Sequence, residues 1–236
     1  MRTLLLSIPV LWFYSCITSD AGSSQDANTT VEVDTNTVPV EPVGLFSGTL
    51  PCADCPGIST EIWLRADSTY VQHATYQDRD TMPFGSIGSW SLNGNTVLLK
   101  GTPGARYELT DKGLRSRTHQ EDPASARPPA ELLKGVGTLL NRSMRITGGY
   151  IYADETHTLQ PCGMEQQFPL GMQHAGLEMA MWYTEDNLGG TPMLVEIQAH
   201  LGMGPSMEGD EEDEYLFVEN VLRRLNGSCP TATSPL

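Results

Sequence analysis

The stretch Gly-Thr-Leu-Pro-Cys-Ala-Asp-Cys-Pro-Gly-Ile, from Gly48 to Ile58, constrains the fold more than any other part of the chain. Pro51 has no backbone N–H and a fixed φ, so the extended run before it stops there. Pro56-Gly57 is a turn dipeptide, and Ile58 opens an alternating run that ends at Leu64. Cys52 and Cys55 therefore lie in a loop between two strands. A thiol oxidoreductase would set its second cysteine inside a helix start within a βαβ unit. That context is missing here.

The chain around this loop is punctuated for strands. Extended runs at Leu45–Leu50, Thr60–Leu64, Thr69–Thr75, Gly88–Leu92, Thr96–Lys100, Ala105–Leu109 and Leu114–Thr118 alternate with turn residues. The clearest turn is Asn93-Gly94 between two apolar runs, a strong hairpin signal. Short strands at this spacing predict a small β-barrel or sandwich over residues 44–118. Residues 119–140 read as a linker. His119–Ala130 carries three prolines, and Glu131–Leu140 is open between a strand and a ragged helical turn.

Residues 141–230 read as a second module. Met144–Ala153 predicts a strand, with Cys162–Leu170 as its partner. His174–Thr184 predicts a short helix with apolar residues at Leu177, Ala180 and Met181. Met193–Leu201 and Tyr215–Leu222 predict two further strands. Strands, one helix and more strands suit a Greek-key barrel of the OB type, so the fold class is mainly all-β.

The formal net charge is −15. Residues 44–118 hold seven basic and seven acidic residues, whereas 141–236 hold four basic and fourteen acidic. Nucleic-acid phosphates would be repelled, so a nucleic-acid partner is excluded even for an OB-like module.

Pro51-Cys-Ala-Asp-Cys-Pro-Gly-Ile58, with Leu64-Arg-Ala-Asp-Ser-Thr-Tyr70 and Gly88-Ser-Trp90 downstream, resembles the signature of the NlpE lipoproteins, the "copper resistance protein NlpE" group. Gly149–Asp154, Cys162, Met193–Ile197 and Cys229 are similar to the C-terminal OB-like half of that family. The resemblance implies an outer-membrane lipoprotein that faces the periplasm or the cell surface and reports envelope stress. It implies a link to copper tolerance and to the Cpx two-component pathway. The implied partners are an inner-membrane sensor kinase and the lipoprotein trafficking machinery.

The N-terminus suits such a protein. Met1-Arg2 is a short positive end, and the apolar run Leu4–Tyr14 is too short to span a bilayer, so residues 1–15 read as a signal peptide. Ser15-Cys16 resembles a lipobox, which makes Cys16 the expected lipid-attachment site and membrane anchor. An ordinary signal peptide cut nearby is the alternative. Residues 16–43 then form a tether. Asp20–Val43 is polar, with five acidic residues and no basic one, a composition that predicts disorder.

With Cys16 lipidated, four of five cysteines remain for an oxidising compartment. Cys162 and Cys229 lie in one module and read as a structural disulfide. Closing a loop of that length stabilises by roughly 4 kcal/mol in the chain-entropy model. A Cys52–Cys55 bridge closes so short a loop that it is worth roughly half as much. A local clip, a redox role and a metal role all stay open for that pair.

Seven of ten methionines lie between 164 and 207. Thioethers and imidazoles suit Cu(I), which makes Met172, His174, His200, Met203 and Met207 a conceivable weak copper set. Core packing is the competing use of the methionines. The acidic run Asp210–Glu214 lacks a calcium-loop pattern and reads as a solvated turn. His73, His119 and His157 are isolated and read as surface residues. No catalytic motif occurs, and the chain reads as a non-enzyme without a required cofactor. The competing function is a periplasmic carrier of copper or of a small apolar ligand.

Overall fold

The computed structural model describes residues 42–101, 105–117, 129–172, 175–186, 188–206, 209 and 211–229. Cys16, the expected tether and His119 lie outside them. The first eight strands are β1 (Gly44–Leu50), β2 (Ile58–Leu64), β3 (Thr69–Tyr76), β4 (Phe84–Asn93), β5 (Thr96–Lys100), β6 (Arg106–Leu109), β7 (Gly113–Ser116) and β8 (Glu131–Gly135). They run in the order β4-β3-β2-β1-β8-β7-β6-β5, and a β4–β5 pairing closes the ring. Every pairing within this ring is antiparallel.

Local chemistry sets the turns. Asp67 Oδ1 accepts from the Thr69 amide and hydroxyl at 3.0 and 2.6 Å, holding the β2–β3 turn. Gly94, at φ +60°, supplies the left-handed residue of the β4–β5 hairpin. Alternation then drives one side of each strand inward. Phe46, Ile62, Leu64, Tyr70, Val97, Leu99, Tyr107, Leu114 and Leu132 fill the interior. Burial among them pushes the Tyr107 hydroxyl up to about 12.

Leu132 belongs to β8, which the linker expectation had left outside the barrel. β8 pairs with both β1 and β7, so without it the ring would have two open edges. The first barrel therefore runs to Gly135 rather than to residue 118. The glycines that interrupt this run, Gly135 and Gly137, mark the end of the strand and the loop after it.

The second barrel is built from β9 (Met144–Ala153), β10 (Thr156–Pro161), β11 (Phe168–Met172), β12 (Met193–Pro205) and β13 (Glu212–Arg224). The order is β10-β11-β13-β12-β9, closed by β10–β9, with β11 and β13 parallel. Helix α1 (Ala175–Glu185) joins β11 to β12, the OB arrangement. The hairpin partner of β9 is β10, not Cys162–Leu170. The turn between them is Asp154-Glu155, both at positive φ, a two-residue hairpin loop built without glycine. The inward face of α1 is Met179 and Tyr183, one turn apart, while Leu177 and Met181 stay exposed. The acidic run is also different from expectation: Glu212-Asp-Glu214 is the start of β13.

The described residues of the two barrels belong to one compact unit. β4 and β9 touch in parallel at Phe84 and Arg145, where the Arg145 amide donates to the Pro83 carbonyl at 2.8 Å. The apolar cluster of the second barrel takes in Val71 and Ile87 from the outer face of the first.

Candidate functional site: two disulfides and the seam between the barrels

Cys52 and Cys55 are joined by a disulfide in the exposed loop after β1. The loop is pinned from the β3–β4 turn. Arg79 pairs with the Asp54 carboxylate at 2.8 Å and donates to the Asp54 carbonyl at 2.9 Å. The Arg79 hydrogen bond holds the Asp54 carboxyl below the usual range. The Gln77 amide donates to the Gly57 carbonyl at 3.0 Å. A bridged pair offers no thiolate, so in this state the loop has no sulfur donor for a metal.

Cys162 and Cys229 are joined by the second disulfide, 67 residues apart. Cys162 follows the last residue of β10, and its amide donates to Thr147 of β9 at 3.0 Å. Cys229 lies in the segment that follows β13. The bridge thus fixes that segment to the β9–β10 hairpin. Gly163, next to Cys162, meets Gly101 of the first barrel. A Cβ on Gly163 would lie 2.8 Å from the Gly101 Cα. The disulfide therefore sits where the two barrels touch.

The seam between the barrels continues from there. Arg142 grips both Glu61 oxygens, at 2.7 and 2.6 Å. Arg65 reaches Glu214 of β13 at 2.9 Å, with both side chains mostly buried. Glu214 is thus a cross-barrel partner and not a residue of a solvated turn. Opposite Glu61, on β3, lies His73, 2 % exposed. It is buried where the sequence reading placed a surface residue. Neither ring nitrogen has a hydrogen-bond partner among the described residues. Burial, with the Arg142 charge nearby, pulls its pKa down to about 4. The signal in the sequence was faint: His73 holds the same strand face as Val71, two residues before it.

Among the described residues, the remaining polar side chains form local hydrogen-bonded groups. Glu219 accepts from Ser143, His200 and Gln198 at 2.6, 2.7 and 2.6 Å. Burial raises the Glu219 carboxyl, but those donors outweigh it and hold the group below its usual range. Ser143 bonds to the carboxylate and not to the imidazole. His157 is half-buried, bonded to the Tyr150 hydroxyl at 2.7 Å, and burial lowers its pKa. His200 and Met203 are three residues apart on an uninterrupted part of β12, so they point to opposite faces. These two do not fit one copper ion. His174, Met207 and the Met172 side chain lie outside the described residues. Among the described residues no group of three His, Cys, Asp or Glu is placed to hold a metal.

Two family models match the chain in tandem. The NlpE N-terminal domain covers residues 46–126, and the NlpE C-terminal OB domain covers 140–230. The chain belongs to the NlpE family. Lipoprotein NlpE of Escherichia coli K12 is 26% identical over 171 residues, which is 71% of this chain and 70% of the relative. A 17 kDa lipoprotein of Treponema pallidum is 37% identical over 57 residues, 23% of this chain and 36% of that one. The crystal structure of the Cpx pathway activator NlpE from Escherichia coli aligns over 79% of this chain and 98% of its own, at 22% identity and a TM-score of 0.34. In NlpE terms, the first barrel carries the Cys52–Cys55 loop and the OB barrel carries the Cys162–Cys229 bridge.

Proposed function

We propose that this chain is a lipid-anchored reporter of envelope stress that activates a Cpx-type sensor kinase in the inner membrane. The observation that carries the reading is the tandem match of both NlpE domains over residues 46–126 and 140–230. The Escherichia coli relative described as a Cpx pathway activator supplies the pathway. Cys16 is the anchor, and the trafficking machinery moves the acylated protein to the outer membrane. Protein that stays at the inner membrane meets the kinase more often, so signalling follows mass action. The Cys162–Cys229 bridge adds a second input. Without it the OB barrel is less stable, and the chain reports poor oxidation. Copper enters as a stress that the pathway answers rather than as a resident ligand.

The apolar-ligand version of the carrier alternative is disfavoured by one observation: the interior of the first barrel is occupied by its own side chains. The test is a Cpx-responsive reporter in cells that overproduce the full chain. Overproduction should raise the reporter, and Cys229→Ser should raise it further at equal protein level. A reporter that answers neither sinks the signalling reading. One that answers overproduction alone removes the oxidation input.

A further inference from the structure

The outer face of β1–β4 carries two cross-strand rows. Leu45, Trp63, Val71 and Ile87 form the first, and Ser47, Glu61, His73 and Gly85 form the second. The second barrel covers the apolar row and the His73 position, while Ser47 at the end of the second row stays exposed. The apolar row packs into the cluster that holds Leu139, Met144 and Ile146. The Met144 sulfur takes the space over Gly85, only 2.3 Å from where a Cβ would stand. Arg142 closes over Glu61 on the other side of His73. The imidazole is therefore walled in by a carboxylate already in use, a thioether and its own sheet.

We propose that this seam is an acid-opened latch: a proton taken up by His73 separates the second barrel from the outer face of β1–β4 and uncovers Leu45, Trp63, Val71 and Ile87.

In the closed seam the pull of Glu61 on an imidazolium is outweighed by burial and by the Arg142 charge. The charged groups on the elements around it are Glu61 from β2, Arg142 just before β9 and Arg145 within β9. Both Glu61 oxygens are held by Arg142, which repels a second cation. The Arg145 guanidinium lies against Phe84 of β4, 4.8 Å from the ring centre. β4 offers only Gly85 beside His73. Once the barrels part, water solvates the ring and its ordinary affinity for a proton returns.

The sign follows from that difference. His73 holds its proton below about 4 when closed and near 6.5 when solvated. The open form takes up the proton first. Closure is therefore fully favoured above pH 6.5 and weakens as pH falls from 6.5 to 4, by up to roughly 300-fold in the closed-to-open ratio. The latch is a property of the seam and stands independently of the signalling reading.

Hydroxyl-radical footprinting of the full chain in detergent, stepped from pH 7.5 to 4.5, tests it. Modification of Met144 and Trp63 should rise with a midpoint between pH 6.5 and 4. Phe46 and Tyr107, inside the first barrel, should stay protected. His73→Gln and His73→Leu should each keep Met144 protected down to pH 4.5, with protection at pH 7.5 confirming that the variant has folded. The proposal is overturned if wild type stays protected throughout. It is equally overturned if both variants open at the wild-type midpoint, which would make carboxylates such as Glu61 and Glu214 responsible. A simultaneous loss of protection at Phe46 and Tyr107 would mean unfolding and would overturn it too.

Discussion

Two glycines and one histidine decide how the barrels meet. Gly101 and Gly163 have φ of +99° and +88°, a region that costs an L side chain about 1–2 kcal/mol, and their backbones touch. Gly163→Ala adds that cost to a clash with a backbone atom that cannot rotate away. We expect a loss of about 2 kcal/mol or more by chemical denaturation. Gly94→Ala is the control, because its Cβ would enter open space and only the backbone cost of roughly 1 kcal/mol remains. Equal losses in the two variants would remove the contact from the argument. His73 teaches a different lesson. Its type and isolation read as surface, because a lone histidine carries no sign of what will cover it. Burial came from a module that enters the chain some seventy residues later.

At the scale of elements, the disulfides differ by what they join. Cys162–Cys229 ties the end of the β9–β10 hairpin to the tail after β13, across a long loop. Its loss releases roughly 4 kcal/mol of chain entropy to the unfolded state, against about half as much for Cys52–Cys55. Cys229→Ser should therefore lower the melting temperature of the OB barrel markedly. Cys52→Ser should disturb the exposed loop and leave most stability intact, since Arg79 and Gln77 still pin it. Thermal melts of both variants decide it, and a Cys229→Ser melt equal to wild type would contradict the structural role. Strand legibility varied with turn chemistry. The Asn93-Gly94 hairpin stood out because glycine announces a left-handed turn. The Asp154-Glu155 hairpin did not, because two acidic residues adopt positive φ there without that mark. β10 was missed as a result, and its neighbour was paired in its place.

At the scale of the molecule, the OB barrel docks on the first barrel through an apolar row, one mostly buried ion pair, one exposed ion pair and one parallel bridge. A large apolar side chain contributes about 1.5–3 kcal/mol when fully buried, and in the row Val71 and Ile87 are fully buried while Leu45 and Trp63 are partly so. The covalent linker is then not needed to hold the parts together at neutral pH. A protease site placed within residues 136–138, between β8 and β9, should yield two fragments that co-elute on gel filtration at pH 7.5. Separate elution would show that the seam is weaker than its contacts imply.

The sequence by itself determined the local alternation, the strongest turns and the division into a first barrel and an OB-like second module. Those features depend on residues near one another in the chain: Pro51 and Pro56-Gly57 bound their loop whatever surrounds it. Only the tertiary structure decided that Glu131–Gly135 closes the first barrel, because a glycine-flanked run becomes a strand only when β1 and β7 offer it two edges. It also decided that Glu214 meets Arg65 and that His73 is sealed beneath Arg142 and Met144. Those partners lie far apart in sequence. Their meeting depends on how two closed surfaces fit, and no local periodicity encodes that fit.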